Sequence, residues 1–219
     1  MECGLITVPL GPLASNMYLI TGSDGIIIVD PSVSPEKTES FSGITGLSMG
    51  EAHVNAILLT HGHHDHIKHI KDWQDAYPHA QIFFSSNDKE LLSNGFMNCS
   101  YMEGYEVTYD FEFSNLSGTY GRTIYKDSDI EIKVYETPGH TRGSVCFLAD
   151  INGKEKLFTG DTVFRGSIGR TDMPGGSEKE ILDSVRRISK LDPGLEIYPG
   201  HGPESTVGDE VRFNPYFSM

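Results

Sequence analysis

Four of the chain's nine histidines fall within six residues, in the run Thr60-His61-Gly62-His63-His64-Asp65-His66. The carboxylate of Asp65 sits among them. Imidazole nitrogen and carboxylate oxygen are the donors that hold borderline divalent ions such as zinc. A solvated, histidine-rich loop would have the same composition, so the neighbouring residues decide between the two. His53-Val54-Asn55-Ala56-Ile57-Leu58-Leu59-Thr60 is mostly apolar and reads as a buried strand. The histidines therefore leave a strand end together, just before a helical pattern, where α/β folds build their sites. The run reads as a metal site.

Three later strands end the same way. The alternating segment Ile130-Glu131-Ile132-Lys133-Val134-Tyr135 leads into Pro138-Gly139-His140. Lys156-Leu157-Phe158-Thr159-Gly160 exits at Asp161, and Leu195-Glu196-Ile197-Tyr198-Pro199 exits at Gly200-His201-Gly202. Glycine beside a ligand lets the backbone approach a crowded centre. Seven candidates result: His61, His63, Asp65, His66, His140, Asp161 and His201. They exceed the three protein ligands typical of one catalytic zinc. They divide over two ions if one carboxylate is shared. A pair of divalent ions generates a nucleophile from water at neutral pH and polarises the bond it attacks, so hydrolysis is the expected reaction.

The elements that must position these residues follow from periodicity and turn signals. Residues 1–35 read as consecutive strands, with a hairpin around Thr21-Gly22-Ser23-Asp24-Gly25 and a second strand, Ile26-Ile27-Ile28-Val29, stopped by Asp30-Pro31. A short helix is expected within 35–52, a helix over 67–77 ending at Pro78, a strand over 80–84 and a capped helix over 86–92. Residues 93–121 show no regular period and carry aromatic side chains, as either the wall or lid of a pocket or a packed surface excursion would. Strands over 144–149 and 156–161 follow. Ser177-Glu178-Lys179-Glu180 then opens an amphipathic helix closed by Pro193-Gly194, and residues 203–219 read as a turn and a short helix.

Composition bounds the remaining choices. The 219 residues, 37% hydrophobic and 22% charged, fit one globular domain over 1–219. Neither an 18-residue apolar run nor a secretory leader is visible, so the expectation is a cytoplasmic protein with no membrane partner. The formal charge of −14 argues against nucleic acid as a partner and requires a locally basic pocket for any anionic substrate. Cys3, Cys99 and Cys146 are too few and too scattered for a disulfide framework or a thiolate zinc cluster, and Cys146 reads as a small core residue. Oligomeric state leaves no trace in the sequence.

Thr-His-x-His-x-Asp-His at 60–66, then Pro-Gly-His at 138–140, Gly-Asp at 160–161 and Gly-His-Gly at 200–202, resembles the metallo-β-lactamase superfamily. The resemblance implies an α/β fold, a four-layered αββα sandwich with the metals at one edge. It implies that His61, His63 and His140 hold one metal, that Asp65, His66 and His201 hold the second, and that Asp161 bridges them. Residues 160–172, Gly-Asp-Thr-Val-Phe-Arg-Gly-Ser-Ile-Gly-Arg-Thr-Asp, resemble the glyoxalase II-like branch, the hydroxyacylglutathione hydrolases. That branch implies two divalent ions, zinc first with iron or manganese as alternatives. It also implies a metal-bridging hydroxide that attacks the carbonyl of an acidic thioester, with Asp65 and Asp161 as the catalytic carboxylates. Arg142, Arg165 and Arg170 stand near the motifs and are candidates to receive the substrate's acidic groups. Long members of the branch add a C-terminal helical domain, and none is expected here. Asp161 where some β-lactamases carry cysteine argues against antibiotic hydrolysis, and His63 argues against the flavodiiron branch, which carries Glu there. The alternative is a persulfide dioxygenase, in which one iron would be held by His61, His140 and Asp161. A non-catalytic, metal-stabilised binding protein is disfavoured because structural zinc sites are closed and commonly rich in cysteine.

Overall fold

The computed structural model describes residues 3–9, 15–41, 48–50 and 52–218. Two six-stranded sheets carry the fold. The first runs β1 (Gly4–Pro9), β2 (Asn16–Gly22), β3 (Gly25–Val29), β4 (Val54–Leu58), β5 (Gln81–Phe84) and β6 (Ser114–Asn115) in spatial order. Its first three strands are antiparallel, and β3 to β6 are parallel. The second sheet is ordered β14 (Ser205–Thr206), β13 (Glu196–Pro199), β10 (Lys154–Gly160), β9 (Val145–Ile151), β8 (Ile130–Glu136) and β7 (Thr123–Lys126). A small hairpin of β11 (Val163–Phe164) and β12 (Ser167–Ile168) stands apart.

Side-chain alternation sorts the core into layers. In β3, Ile27 and Val29 face a cluster shared with Val134, Phe147 and Phe158 of the opposite sheet. Ile26 and Ile28 face the other way, with Ile67, Ile70 and Trp73. A strand buried on both faces has no polar positions, which is why Ile26-Ile27-Ile28-Val29 is an unbroken β-branched run. The second sheet repeats the pattern: Phe147 faces its partner sheet, while Cys146 and Leu148 face Val185 and Ile188. Those two belong to α5 (Glu178–Ile188), whose N-terminus is capped by Ser177 accepting from Glu180 N at 3.3 Å. Ile181, Val185 and Ile188 are buried, and each stabilises by roughly 1.5–3 kcal/mol relative to exposure. Helices thus cover both outer faces of a sheet pair, giving the αββα sandwich.

The remaining helices are short: α1 (Pro35–Glu39), α2 (His64–Ile67), α3 (Ile70–Ala76), α4 (Lys89–Leu92) and α6 (Val207–Phe213). Helix α1 accounts for the start of the 35–52 expectation, and residues 42–47 and 51 lie outside the described ones. The helix expected over 67–77 is divided, because His69 N donates to Pro31 O at 3.2 Å instead of continuing α2. The helix expected over 86–92 is a 3-10 turn (Ser86–Asp88) followed by one α turn. Asp88 turns inward there and is fully buried. Cys146 is a fully buried core residue, as its apolar context implies. Among the described residues, no helix is long and apolar enough to cross a membrane.

Candidate metal centre

All four ligand-bearing strands release their chains at one edge of the sandwich. β10 and β13 are parallel neighbours with Gly160 opposite Pro199, so Asp161 and His201 emerge side by side. β9 is antiparallel to both β8 and β10, which sends β8 and β10 the same way and brings His140 to that edge. The other sheet is locked on by Val145 N donating to Thr60 O at 2.9 Å, which fixes the start of the histidine run against β9. Gly200 is required where it stands. A Cβ there would lie 2.3 Å from Asp161 Oδ1 and 2.6 Å from His66 Cε1.

The seven residues meet in one cluster. Ligand atoms of His61, His63 and His140 lie within 4.8 Å of one another, as do those of His61, His66 and Asp161, and those of Asp65, His66 and His201. Asp161 stands between the halves: Oδ2 is 3.4 Å from His140 Nε2 and 3.6 Å from His201 Nε2, and Oδ1 is 3.3 Å from His66 Nε2. Hydrogen-bond partners determine the tautomers. Thr60 Oγ1 donates to Asp30 Oδ2 at 2.7 Å, so His61 Nδ1, 3.0 Å away, must be the donor to that hydroxyl. His140 Nδ1 faces the carbonyl of Arg170 at 2.8 Å, and His66 Nδ1 faces Asp30 Oδ2 at 2.9 Å. Each of these rings is thereby turned so that its Nε2 points into the cluster, as metal-ligating histidines are arranged. His63 turns Nδ1 toward His140 Nε2 at 2.9 Å. His61 Nε2 and Asp161 Oδ1 are buried with no hydrogen-bond partner, a costly state for an apo core and the expected one for a metal site. The donor set fits two divalent ions.

Residues 10–201 match the metallo-beta-lactamase superfamily. The chain belongs to that superfamily. It is similar to YqgX of Bacillus subtilis, a probable metallo-hydrolase, with 30% identity over 96% of each chain. Among solved structures it is similar to BLEG-1, a B3 metallo-beta-lactamase, with 29% identity, a TM-score of 0.85, and coverage of 99% of this chain and 100% of that one. It is also similar to TTHA1623 in a di-iron-bound form, with 32% identity, a TM-score of 0.80, and coverage of 96% and 99%.

Within this superfamily member the two halves differ electrically. Burial, together with the neighbouring imidazoles, holds His61 well below the usual histidine range and His63 down to about 3. Both are neutral, as ligands must be. Burial would also lower His66, but the carboxylates of Asp65, Asp161 and Asp30 outweigh it and raise this imidazole well above the ordinary value. Burial opposes ionisation of Asp65 and Asp161. The adjacent histidines prevail, holding Asp65 down to about 2 and Asp161 well below the carboxylate range. The carboxylate side therefore demands a cation, and metal binding there must release the proton His66 carries.

Three supporting residues were not recognised as functional in the sequence. Asp30, buried and held at φ 53, accepts from Thr60 N at 2.8 Å, Thr60 Oγ1 and His66 Nδ1. Thr60 passes that constraint on to His61. Asp88 accepts from Gly62 N at 3.0 Å, Thr141 Oγ1 at 2.7 Å and Gly143 N at 2.6 Å. One carboxylate thus pins both the loop that carries His61 and His63 and the loop that carries His140. The sequence signal for Asp30 was present, since it is a carboxylate at a strand exit like Asp161. Replacing Asp30 with Asn should cost 10–100-fold in metal affinity, the usual scale for an outer-shell partner. Competition against a chromophoric chelator measures this, and affinity equal to the parent chain would contradict the role.

The cluster floors a cleft of about 400 Å³. One wall comes from the irregular segment 93–121, through Cys99 and Met102, and the opposite one from Phe164 and Ile168 of the β11–β12 hairpin. That segment is tied to the histidine run: His64 N donates to Asn98 O at 2.8 Å, His64 Nδ1 bonds the Tyr109 hydroxyl, and Lys68 pairs with Glu103 at 3.1 Å. His64 is therefore not brought into the cluster. Of the three arginines, Arg170 lines the cleft, with its guanidinium held by Asp172 at 2.7 and 2.8 Å. Arg142 faces a separate surface depression and lies 3.8 Å from Glu90. Arg165 is exposed in the turn between β11 and β12, outside the cleft lining.

Proposed function

We propose that the chain is a dinuclear metal-dependent thioester hydrolase of glyoxalase II-like type, acting in the cytoplasm. The observation that carries the reading is the position of the Asp161 carboxylate within 3.3–3.6 Å of His66, His140 and His201. His61, His63 and His140 would hold one ion, Asp65, His66 and His201 the other, and Asp161 both. Two divalent ions bound there lower the pKa of water to near neutrality and polarise a carbonyl. Asp65, kept ionised, lies at the floor of the cleft, where it can accept a hydrogen bond from an attacking water and orient it. The second ligand set is complete beside the first, which favours two ions and hydrolysis over the single-iron dioxygenase reading. Zinc is the first choice of metal, and iron is the alternative.

The cleft's proton inventory supports a thioester. Apart from the five candidate ligands that line it (His63, Asp65, His140, Asp161 and His201), its described lining holds Arg170 and Cys99 as the titratable groups, and burial pushes the Cys99 thiol up to about 11. Neither delivers a proton readily near pH 7. A thiol leaving group, with an ordinary pKa near 8.5, departs as thiolate without a general acid, whereas an amine must be protonated to leave. The test is the metal-loaded chain assayed on an N-acetylcysteamine thioester, S-lactoylglutathione, a chromogenic cephalosporin and glutathione persulfide. Thioester turnover that is lost with a chelator and restored by zinc is expected. Oxygen uptake on the persulfide with one iron per chain, or preferential opening of the β-lactam, would overturn the reading.

A further inference from the structure

We infer that the cleft seats an apolar acyl group, so the thioesters it selects carry an uncharged aliphatic or aromatic acyl chain and do not depend on an anionic thiol carrier. This rests on the hydrolase reading and names the substrate class for the same site. Above the metal cluster the lining is Cys99, Met102, Phe164, Ile168 and Met173, with Ser167 and Arg170 as its polar members. Methionine and phenylalanine offer polarisable apolar surface and no hydrogen-bond direction. The one permanent cation in the described lining, Arg170, already has its guanidinium fork filled by Asp172. Glutathione brings two carboxylates and one ammonium group. Those carboxylates would find in the described lining one arginine whose charge is already matched, on a chain of formal charge −14.

The apolar surface continues out of the cleft. Phe96, Tyr101, Met102 and Tyr105 are 54%, 44%, 51% and 54% exposed, four of the seven large exposed hydrophobic residues among those described. Their concentration within ten residues makes a patch, and an exposed apolar patch on a soluble chain marks a contact surface. Phe96 stacks on Tyr101 with ring centroids 5.2 Å apart. The segment is built in place: Asn98 Nδ2 donates to Leu91 O at 3.0 Å and to Val107 O at 2.8 Å, and Ser100 Oγ accepts from Val107 N at 2.8 Å. Met102 belongs to both the patch and the cleft wall, so a chain whose carbonyl lies at the metal floor can run outward past it.

The test uses the zinc-loaded full chain with acetyl, butanoyl and hexanoyl thioesters of N-acetylcysteamine, and with S-lactoylglutathione. A fully buried methylene is worth about fourfold in affinity, so kcat/KM should rise at least about tenfold from acetyl to hexanoyl. The hexanoyl thioester should also exceed S-lactoylglutathione. Met102→Ser should flatten the rise with chain length. Equal rates across the three chain lengths, or S-lactoylglutathione as the best substrate, would overturn the inference. Binding of the uncleavable S-methyl and S-hexyl thioethers of N-acetylcysteamine, followed by calorimetry, decides it apart from turnover. Tighter binding of the hexyl compound by about tenfold supports the apolar seat even if no thioester is cleaved, and equal affinities refute it. Absence of all thioester turnover would count against the hydrolase reading alone.

Discussion

Asp161→Ala should lose metal and activity together. The variant removes the one carboxylate among the described residues that lies within 3.6 Å of histidines from both halves of the cluster. Metal content should fall below two per chain, and the rate on a cleavable thioester should drop by on the order of 10²–10³ even with metal in excess, the scale for losing one preorganised charge at a reacting centre. The fold should survive, because Asp161 sits at the sheet edge while the two-sheet core of Ile27, Val29, Val134, Phe147 and Phe158 is untouched. Circular dichroism, elemental analysis and the thioester assay on one preparation separate these effects. A folded variant with two metals and the parent rate would refute the shared role of Asp161.

Asp88→Ala should be the more damaging change to stability, although Asp88 is not a candidate ligand. Burial pushes its carboxyl up, and the donors Thr141, Gly143 and Gly62 oppose that by holding the charged form. Removing the side chain orphans the Gly62 and Gly143 amides inside a fully buried site and leaves Thr141 Oγ1 with Ser144 Oγ at 2.7 Å as its remaining partner. At roughly 1–3 kcal/mol for each unsatisfied group, the loss should reach about 3–5 kcal/mol after relaxation. Urea unfolding of the metal-free chain measures it directly. Because the same carboxylate ties Gly62 to Thr141 and Gly143, affinity of the His61, His63 and His140 set should fall by about 10–100-fold as well. A midpoint within experimental error of the parent would show that water replaces the carboxylate.

Reading strand exits from the sequence located all seven cluster residues, because each strand ends abruptly at glycine or a turn and the chemistry-bearing side chain follows at once. The four-layered sandwich was expected from the resemblance to the metallo-β-lactamase superfamily, and the structure bears it out, with Ile26 and Ile28 on one face of β3 and Ile27 and Val29 on the other. The supporting carboxylates were harder to see. Asp30 ends a strand as Asp161 does, but the adjacent Pro31 made it look like a turn residue. Asp88 stands in a stretch patterned like a helix start, and only the tertiary approach of residues 62 and 141–143 gives its side chain a buried purpose. Closeness in sequence also misled. Arg142 is two residues from His140 and yet faces another surface, because Thr141 and Gly143 turn inward to Asp88. The segment 93–121 has no period to read, and its role as a wall comes from long-range bonds to His64 and Lys68.

The most direct test of the account is the number of metal ions each chain holds. The purified chain, stripped with a chelator, reloaded with zinc and freed of excess by gel filtration, should carry two equivalents by elemental analysis. His201→Ala should carry about one, because the Asp65, His66 and His201 set is broken while the His61, His63 and His140 set is intact. One equivalent in the parent chain, unchanged in His201→Ala, would contradict the dinuclear centre on which the proposed hydrolysis depends.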